Sequence, residues 1–145
     1  MVNNEQINAY KKTQQSSTAV TSSHEIVRTL MKELVNSMQK IVLDIQDERK
    51  RKQDQLYVDK AFEEKNARHK SKNLSKSLSI IYGLQTSLDF DKALEIANNL
   101  FQLYEYCRHE IIKGFSQKIE DGIVKAIDVI KQIMDGWEEI TSSEK

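Results

Sequence analysis

The sequence contains no proline, only four glycines and a single cysteine in 145 residues. Average usage would place about seven prolines in a chain of this length, so the composition disfavours loop-rich β folds. Cys107 has no partner for an internal disulfide. No apolar stretch approaches the roughly 20 residues of a membrane span or follows a basic segment as in a signal peptide. These absences predict a helical, soluble, cytoplasmic protein.

An excess of one charge sign is also missing, since Lys plus Arg and Asp plus Glu balance at 22 each. Nucleic-acid binders and membrane-surface proteins normally carry a positive field that this chain lacks. The one basic run, Arg49–Lys52, is flanked by Asp47, Glu48 and Asp54, which screen it. We therefore expect the run to be a solvated loop, and we expect neither nucleic-acid binding nor membrane insertion.

Motifs for catalysis and metal binding are incomplete or absent. The zinc motif H-E-x-x-H begins at His24 and at His109, but its fifth position is Arg28 or Lys113, and a cation there cannot ligate zinc. The paired E-x-x-H of di-iron bundles, the glycine-rich phosphate loops and the nucleophile elbow G-x-S-x-G do not occur. Cys107 lies among apolar residues and is expected to be a buried hydrophobe. We predict no enzyme activity, no metal and no cofactor.

The first 21 residues form a polar arm rich in Asn, Gln, Ser and Thr. Ile7, Ala9 and Tyr10 are close enough to dock as a small plug, while a frayed terminus explains the same residues. The first helix begins after Ser22, which with Glu25 gives the capping-box pattern S-x-x-E.

The first helix is defined by apolar residues at spacings of one, three and four, from Ile26 to Ile45. This pattern stops in the charged segment of residues 46–64. The residues there are compatible with a protruding helical hairpin or with a mobile loop, and the sequence leaves both open.

Three further helices follow at short intervals. The second runs to about Leu88, with burial starting near Ala67. The third is expected from about Lys92 to Lys113, capped by Asp89 or Asp91 and ended by Gly114, and the last carries an isoleucine face that Trp137 continues. Residues 22–140 are thus predicted to form one all-α domain, an antiparallel four-helix bundle with an N-terminal arm that could cap it, followed by a polar tail at 141–145.

The third helix is more apolar than one core face requires. At about 100° per residue, its apolar side chains from Leu94 to Ile112 cover an arc of about 240°. A helix of this kind is either the most central element of its own bundle or leaves a groove for an amphipathic partner helix.

Several motifs together resemble the flagellin-specific export chaperone family of FliS type. The longest is LSKSLSIIYGLQTSLDFDKALEIANNLFQLYEYC, residues 74–107, with its S-L-D turn, E-I-A-x-N-L segment and Y-x-Y pair. The tetrapeptide INAY at 7–10 is similar to the family's N-A-Y motif, and GWEEI at 136–140 to its closing G-W-x-x-I. The chain departs from the family at Ala93-Leu94 and His109-Glu110, where glycine and arginine pairs are usual, and in the charged insertion.

This resemblance implies a cytoplasmic bundle that binds the disordered C-terminal segment of flagellin, prevents its premature polymerisation and delivers it for export and flagellum assembly. The flagellar export apparatus or a regulatory protein are candidate further partners, and no cofactor is implied. It also implies that Ile7 and Tyr10 of the arm form a displaceable plug. The predicted client-binding residues lie on the second and third helices: Leu74, Leu78, Ile81, Leu94, Phe101, Leu103, Tyr104 and Tyr106.

Two other function classes compete with this interpretation. One is a structural or adaptor bundle that self-associates through the third helix, which predicts a stable homo-oligomer. The other is a helical enzyme with a metal in the bundle core, which the missing ligands disfavour.

Overall fold

The structure, a computed structural model, describes residues 23–54 and 58–143, with side chains from 24 to 54 and from 58 to 137. The described chain consists of four α-helices without a strand: α1 (Ser23–Asp54), α2 (Lys60–Thr86), α3 (Leu94–Gln117) and α4 (Asp121–Ser143). The prediction of an all-α fold is therefore confirmed. The N-terminal arm lies outside the described residues.

Successive helices run antiparallel, and each packs against its two neighbours in the bundle. α1 contacts both α2 and α4, while α3 contacts α2 and α4 and touches α1 across the centre. Hydrogen bonds between side chains, or from a side chain to a backbone carbonyl, link each neighbouring pair: Ser37 with Ser77, Arg49 with Glu120, Gln85 with Phe101, and Cys107 with Ala126. In each pair of helices the early residues of one meet the late residues of the other, as in an up-down bundle.

The core is built from the apolar stripes that the sequence shows. The stripe of α1 contributes the most, and its members at the centre are fully buried. Burying one such Leu, Ile or Met side chain contributes about 1.5 to 3 kcal/mol relative to leaving it in water. The fully or nearly fully buried side chains are Met31, Leu34, Met38, Ile41, Ile45, Ile81, Leu84, Tyr104, Cys107, Ile111, Ile123 and Ile130.

The charged segment of residues 46–64 is largely helical. α1 continues to Asp54 and α2 begins at Lys60, where the Asp59 side chain accepts a hydrogen bond from the backbone N–H of Ala61. The Arg51 guanidinium lies 4.0 Å from the centre of the Phe62 ring, so a cation–π contact joins the two helices beyond the apolar stripe. The sequence left open a protruding helical hairpin or a mobile loop, and the described residues fit the helical hairpin.

Burial on α2 starts one residue earlier than predicted and with polar side chains. Asn66 and Lys70 are buried, whereas Ala67 is exposed. Lys70 is tolerated inside because its ammonium group donates a 2.7 Å hydrogen bond to the Glu48 carboxylate. The apolar pattern could not reveal this part of the core, since charged and amide groups form it.

The connection between α2 and α3 differs from the predicted capping. Asp89 accepts hydrogen bonds from the backbone N–H groups of Asp91 and Lys92, which closes the turn before the helix. The N-cap of α3 is Ala93, which has no side-chain acceptor. Neither aspartate is therefore the helix cap.

Gly114 does not end α3, which continues to Gln117. Its role is close packing, because a Cβ atom there would lie 2.6 Å from Cγ1 of Ile123 and 2.7 Å from the carbonyl oxygen of Ile119. The helix ends instead at Lys118, which adopts the left-handed conformation with φ of 57°. A lysine takes the place that glycine usually fills.

Trp137 joins the two termini of the described bundle. It is partly buried against the core, and its ring stacks on His24 at 4.4 Å between ring centroids. Its indole N–H donates a 2.9 Å hydrogen bond to the His24 carbonyl oxygen. Across the described residues, no helix has both the length and the apolar character needed to cross a membrane.

Candidate functional site

The most distinctive surface of the molecule is the part of α3 that faces away from the core. α3 turns Ala97, Tyr104, Cys107 and Ile111 inward. One inward face of this kind is enough to pack α3 against the other helices of the bundle. Five further apolar side chains of the same helix remain exposed, namely Leu94, Ile96, Leu103, Tyr106 and Ile112.

These side chains form two strips on opposite sides of α3. Relative to Ile111 at the core, positions 94, 101 and 112 lie about 80° to 100° in one direction, and positions 96, 103 and 106 about 60° to 140° in the other. The first set is the α2-side strip, because Gln85 of α2 reaches the neighbouring Glu105 with a 2.8 Å hydrogen bond. The second is the α4-side strip, because Gly114 on that side meets α4.

α2 adds apolar surface next to the α2-side strip. Leu74 and Leu78 are partly buried, and Tyr82 is exposed. Their helical positions lie on the same side of α2 as Gln85, which bonds to α3. A line of apolar side chains therefore follows the junction of α2 and α3, and we call this surface the α2–α3 groove; such surfaces can receive one face of an amphipathic helix.

The groove has a polar border of balanced charge. Glu105 accepts hydrogen bonds from Gln85 and from Arg108, which lies one turn further on. The hydrogen bond from Gln85 and the charge of Arg108 lower the pKa of the Glu105 carboxyl, so the acid is ionised at neutral pH. This part of the border therefore carries one acid paired with one base.

Two of the predicted client-binding residues belong to the core. Ile81 is fully buried and Tyr104 is 2% exposed, so neither presents a surface to a client in this conformation. Burial raises the pKa of the Tyr104 hydroxyl to about 12. Both lie on apolar helical positions, and that pattern does not separate the inner face of a helix from the outer one.

The other predicted residues are at least partly accessible but do not form one patch. Leu74, Leu78, Leu94 and Phe101 follow the α2–α3 groove, whereas Leu103 and Tyr106 lie on the α4-side strip. The predicted plug residues Ile7 and Tyr10 lie outside the described residues.

Sequence reasoning missed four exposed apolar residues near these strips. Ile96 and Ile112 lie on the wide apolar arc of α3, so the sequence does contain a signal for them. Tyr82 falls outside the leucine stripe of α2 and has no periodic signal. Phe90, in the turn before α3, contacts the ring of Phe101 edge to face at 6.3 Å between centroids.

The basic run Arg49–Lys52 is the end of α1 and not a loop. Arg49 pairs with Glu120, Arg51 with Asp47, and Lys52 with Glu48. These ion pairs take up much of the positive charge that a phosphate backbone would otherwise contact, in line with the predicted screening.

Groups for metal binding do not come together in the described residues. Among them, no three His, Cys, Asp or Glu side chains are grouped to hold a metal ion. Cys107 is fully buried, and burial raises the pKa of its thiol to about 12, so the thiolate needed for nucleophilic attack is disfavoured. It is a core residue, as predicted.

Comparison with known proteins places this architecture in a family. The sequence matches the family described as Flagellar protein FliS over residues 6–144. It is 27% identical over 135 residues to the flagellar secretion chaperone FliS of Vibrio cholerae, an alignment that covers 92% of this chain and 87% of the relative. It is 32% identical over 73 residues to the flagellar secretion chaperone FliS of Salmonella typhimurium, covering 50% of this chain and 54% of the relative. The chain belongs to the FliS family.

Proposed function

We propose that this protein is a cytoplasmic secretion chaperone that binds the C-terminal segment of flagellin, prevents its premature polymerisation and assists its export and flagellum assembly, without catalytic activity of its own. Membership of the FliS family and the names of the two relatives support the chaperone role. The observation that carries the proposal for this chain is the exposed apolar surface of α3, which its own core does not use.

The physical logic is that of coupled folding and binding. A disordered client segment gains helix as its apolar face enters the α2–α3 groove, and burial of roughly 1,000 to 3,000 Å² offsets the cost of ordering it. The chaperone has zero net charge, so affinity should vary weakly between low and moderate salt. We expect one-to-one binding with a negative heat-capacity change.

The proposed contact surface consists of the accessible predicted residues and their exposed neighbours. In the groove, the client contacts Leu74, Leu78, Leu94 and Phe101. A second contact follows the α4-side strip and consists of Leu103 and Tyr106. Ile81 and Tyr104 hold these helices in place from the inside. The export apparatus or a regulatory protein remain candidate further partners.

The test uses isothermal titration calorimetry with a flagellin C-terminal peptide and two matched variants. Leu94 of α3 and Leu43 of α1 are 60% and 61% exposed, so aspartate at either position costs the free fold little. We expect Leu94→Asp to weaken binding by about 10-fold or more, and Leu43→Asp to leave it within about twofold. Equal effects of the two variants, or no binding by the unaltered protein, would contradict the proposal.

We also propose that the arm, through Ile7 and Tyr10, competes with the client for part of this surface. A net closure of about 1 to 2 kcal/mol would weaken the apparent affinity by about 5- to 30-fold. Deleting residues 1–15 should then tighten peptide binding several-fold while lowering the stability of the free protein. Weaker binding at unchanged stability would instead make the arm a direct client contact.

Self-association as a structural or adaptor bundle is the alternative, because the same α3 surface could pair with a second copy. Sedimentation equilibrium with and without the flagellin peptide distinguishes the self-associating bundle from the chaperone. A homodimer that survives a saturating flagellin peptide would favour the alternative, and a monomer that forms a one-to-one complex would favour the chaperone.

A further inference from the structure

The charges of α2 are almost all of one sign, although the net charge of the chain is zero. From Lys65 to its end at Thr86, α2 contains no Asp or Glu. The same stretch carries five lysine and arginine residues, of which only Lys70 is buried, where it pairs with Glu48. The other four cations are exposed: Lys65, Arg68, Lys72 and Lys76.

These four side chains form one line along α2, which we call the basic stripe. Their spacings of three, four and four residues place them within an arc of about 80° and over a length of about 16 Å. The stripe lies on average about 140° around α2 from Leu74 and Leu78, so it is on the opposite side of the helix from the α2–α3 groove. His69, next to Arg68, contacts Asp44, so the stripe borders α1.

The bundle itself does not use the basic stripe. Among the described residues, none of its four side chains forms an ion pair. Two carboxylates of the adjoining part of α1 have other partners, since Asp44 contacts His69 and Asp47 pairs with Arg51. Like charges one turn apart destabilise a helix, and each cation of the stripe has such a neighbour. The stripe therefore costs stability that nothing in the described fold returns.

We propose that the basic stripe binds an acidic helical segment of a partner protein. An α-helix with Asp or Glu at spacings of three and four residues presents its carboxylates in a line of the same length. Arginine and lysine donate charge-assisted hydrogen bonds to such carboxylates. Each of these pairs also removes like-charge repulsion within α2. The site is separate from the α2–α3 groove and does not depend on the identity of the client.

The ends of the stripe favour a short acidic helix over a nucleic acid. Glu64 directly precedes the stripe, and at the other end Ser37 of α1 is hydrogen bonded to Ser77. Glu33 and Lys40, one turn on either side of Ser37, add one charge of each sign there. The positive excess is thus confined to the stripe. With a zero net charge, the chain has no long-range field for an extended phosphate backbone.

The experiment titrates the ¹⁵N-labelled full chain with an alanine-based helical peptide and follows amide chemical shifts. The four glutamates of this peptide are spaced by four, three and four residues, so they form one line. A control peptide of the same composition has them spaced by five, which distributes them around the helix. We expect saturable shifts within residues 65–76, with a dissociation constant of about 0.1 to 1 mM at about 20 mM salt, and at least about 5-fold weaker binding at about 200 mM salt.

The control peptide should bind at least about 5-fold more weakly than the peptide with aligned glutamates. Equal binding of the two peptides would overturn the proposal, because charge alone would then suffice. A duplex DNA of about 20 base pairs and phosphatidylglycerol vesicles are titrated in parallel. Tighter binding of either one than of the aligned peptide would assign the stripe to phosphate groups and would also overturn the proposal.

Two double variants with the same change in net charge test the location of the site. Arg68→Gln with Lys72→Gln removes the middle of the stripe, and Lys125→Gln with Lys131→Gln removes two exposed cations of α4. We expect the first to weaken binding of the aligned peptide by about 5-fold or more and the second to leave it within about twofold. Equal losses would overturn the proposal. If the free protein self-associated at low salt and only the first variant were monomeric, a second copy would be the occupant and the proposal would be wrong.

The stripe variant also separates this site from the fold and from the client site. Its midpoint of thermal unfolding should equal or exceed that of the unaltered protein, because like-charge repulsion is reduced. A lower midpoint would mean that Arg68 and Lys72 already have stabilising partners, contrary to the proposal. Its affinity for the flagellin peptide should stay within about twofold, whereas a larger loss would make the stripe part of the client site and contradict a separate function.

Discussion

The two halves of the contact between α1 and α2 are stabilised by different physical interactions. In the apolar half, Met31, Leu34 and Met38 of α1 share one core with Ile81 and Leu84 of α2. In the polar half, the contacts are polar: the Asn66 side-chain amide donates to the backbone carbonyl of Asp44, the His69 ring contacts the Asp44 carboxylate, and Lys70 donates to Glu48. A hydrogen bond of 2.7 Å between Ser37 and Ser77 marks the transition.

This difference shows where stability and where specificity reside. Apolar packing is non-directional and supplies most of the free energy of folding. A buried ion pair adds little net stability over an apolar pair, but it accepts few alternative partners. The apolar half therefore supplies most of the stability of this contact, and the polar half, which accepts fewer partners, favours one register of the two helices.

Removing a side chain from the apolar half should have the largest effect. Leu34 is fully buried, and Leu34→Ala should lower the free energy of unfolding by about 3 to 5 kcal/mol because it leaves a cavity. Leu43→Ala on the exposed side of the same helix should change it by less than about 0.5 kcal/mol. Urea unfolding followed by circular dichroism measures both, and similar losses would mean that α1 is oriented differently.

In the polar half, removing one charge should cost more than removing both. Glu48→Met leaves Lys70 buried without its carboxylate and should destabilise the protein by about 2 to 4 kcal/mol. Adding Lys70→Met should recover at least half of that loss, because two apolar side chains pack where an ion pair was. If the two substitutions were instead additive in urea unfolding, the pair would not be coupled and the polar half would be a set of separate surface charges.

The sequence predicted the apolar half well and the polar half poorly, for a physical reason. Apolar residues of α1 and α2 repeat at helical spacing, so the stripe from Ile26 to Ile45 and the leucines of α2 identify their buried face. Lys70 and Asn66 lie on the same face of α2, but their burial depends on partners from another helix. No local pattern contains that information.

The candidate site shows the same limit. The wide apolar arc of α3 was visible in the sequence, but the division into core residues such as Tyr104 and exposed residues such as Leu94 depends on where α2 and α4 pack.

Glycine substitutions test whether close packing extends into the end of the bundle that contains the polar half. A Cβ at Gly114 would collide with Ile123 and with the backbone, so Gly114→Ala should destabilise by about 1 to 3 kcal/mol. Gly136 in α4 has no atom within 4 Å of such a Cβ, and Gly136→Ala should stabilise by up to about 1 kcal/mol. The two substitutions should therefore shift the midpoint of thermal unfolding in opposite directions. A higher midpoint for Gly114→Ala would show that α3 and α4 are less closely packed there.

Lowering the pH should distinguish the polar half of the α1–α2 contact from the apolar half with the smallest perturbation, because no side chain is replaced. Burial raises the pKa of Glu48, but hydrogen bonds from Lys70, Lys118 and Lys52 outweigh it and bring the pKa to about 2. The hydrogen bond from Arg49 lowers the pKa of Glu120 to about 2 as well. Both values are below the ordinary 4.5, so the unfolded chain takes up protons first as the pH falls.

The stability that these two carboxylates confer is therefore complete above about pH 5 and is lost between there and about pH 2. We expect amide hydrogen exchange to show that backbone amides of residues 45–50 lose protection in this interval before those of residues 31–38, after correction for the intrinsic exchange rate. In Glu48→Gln the difference between the two segments should be smaller, because one titrating group is gone. If both segments of the unaltered protein lost protection together, the two halves would be one cooperative unit.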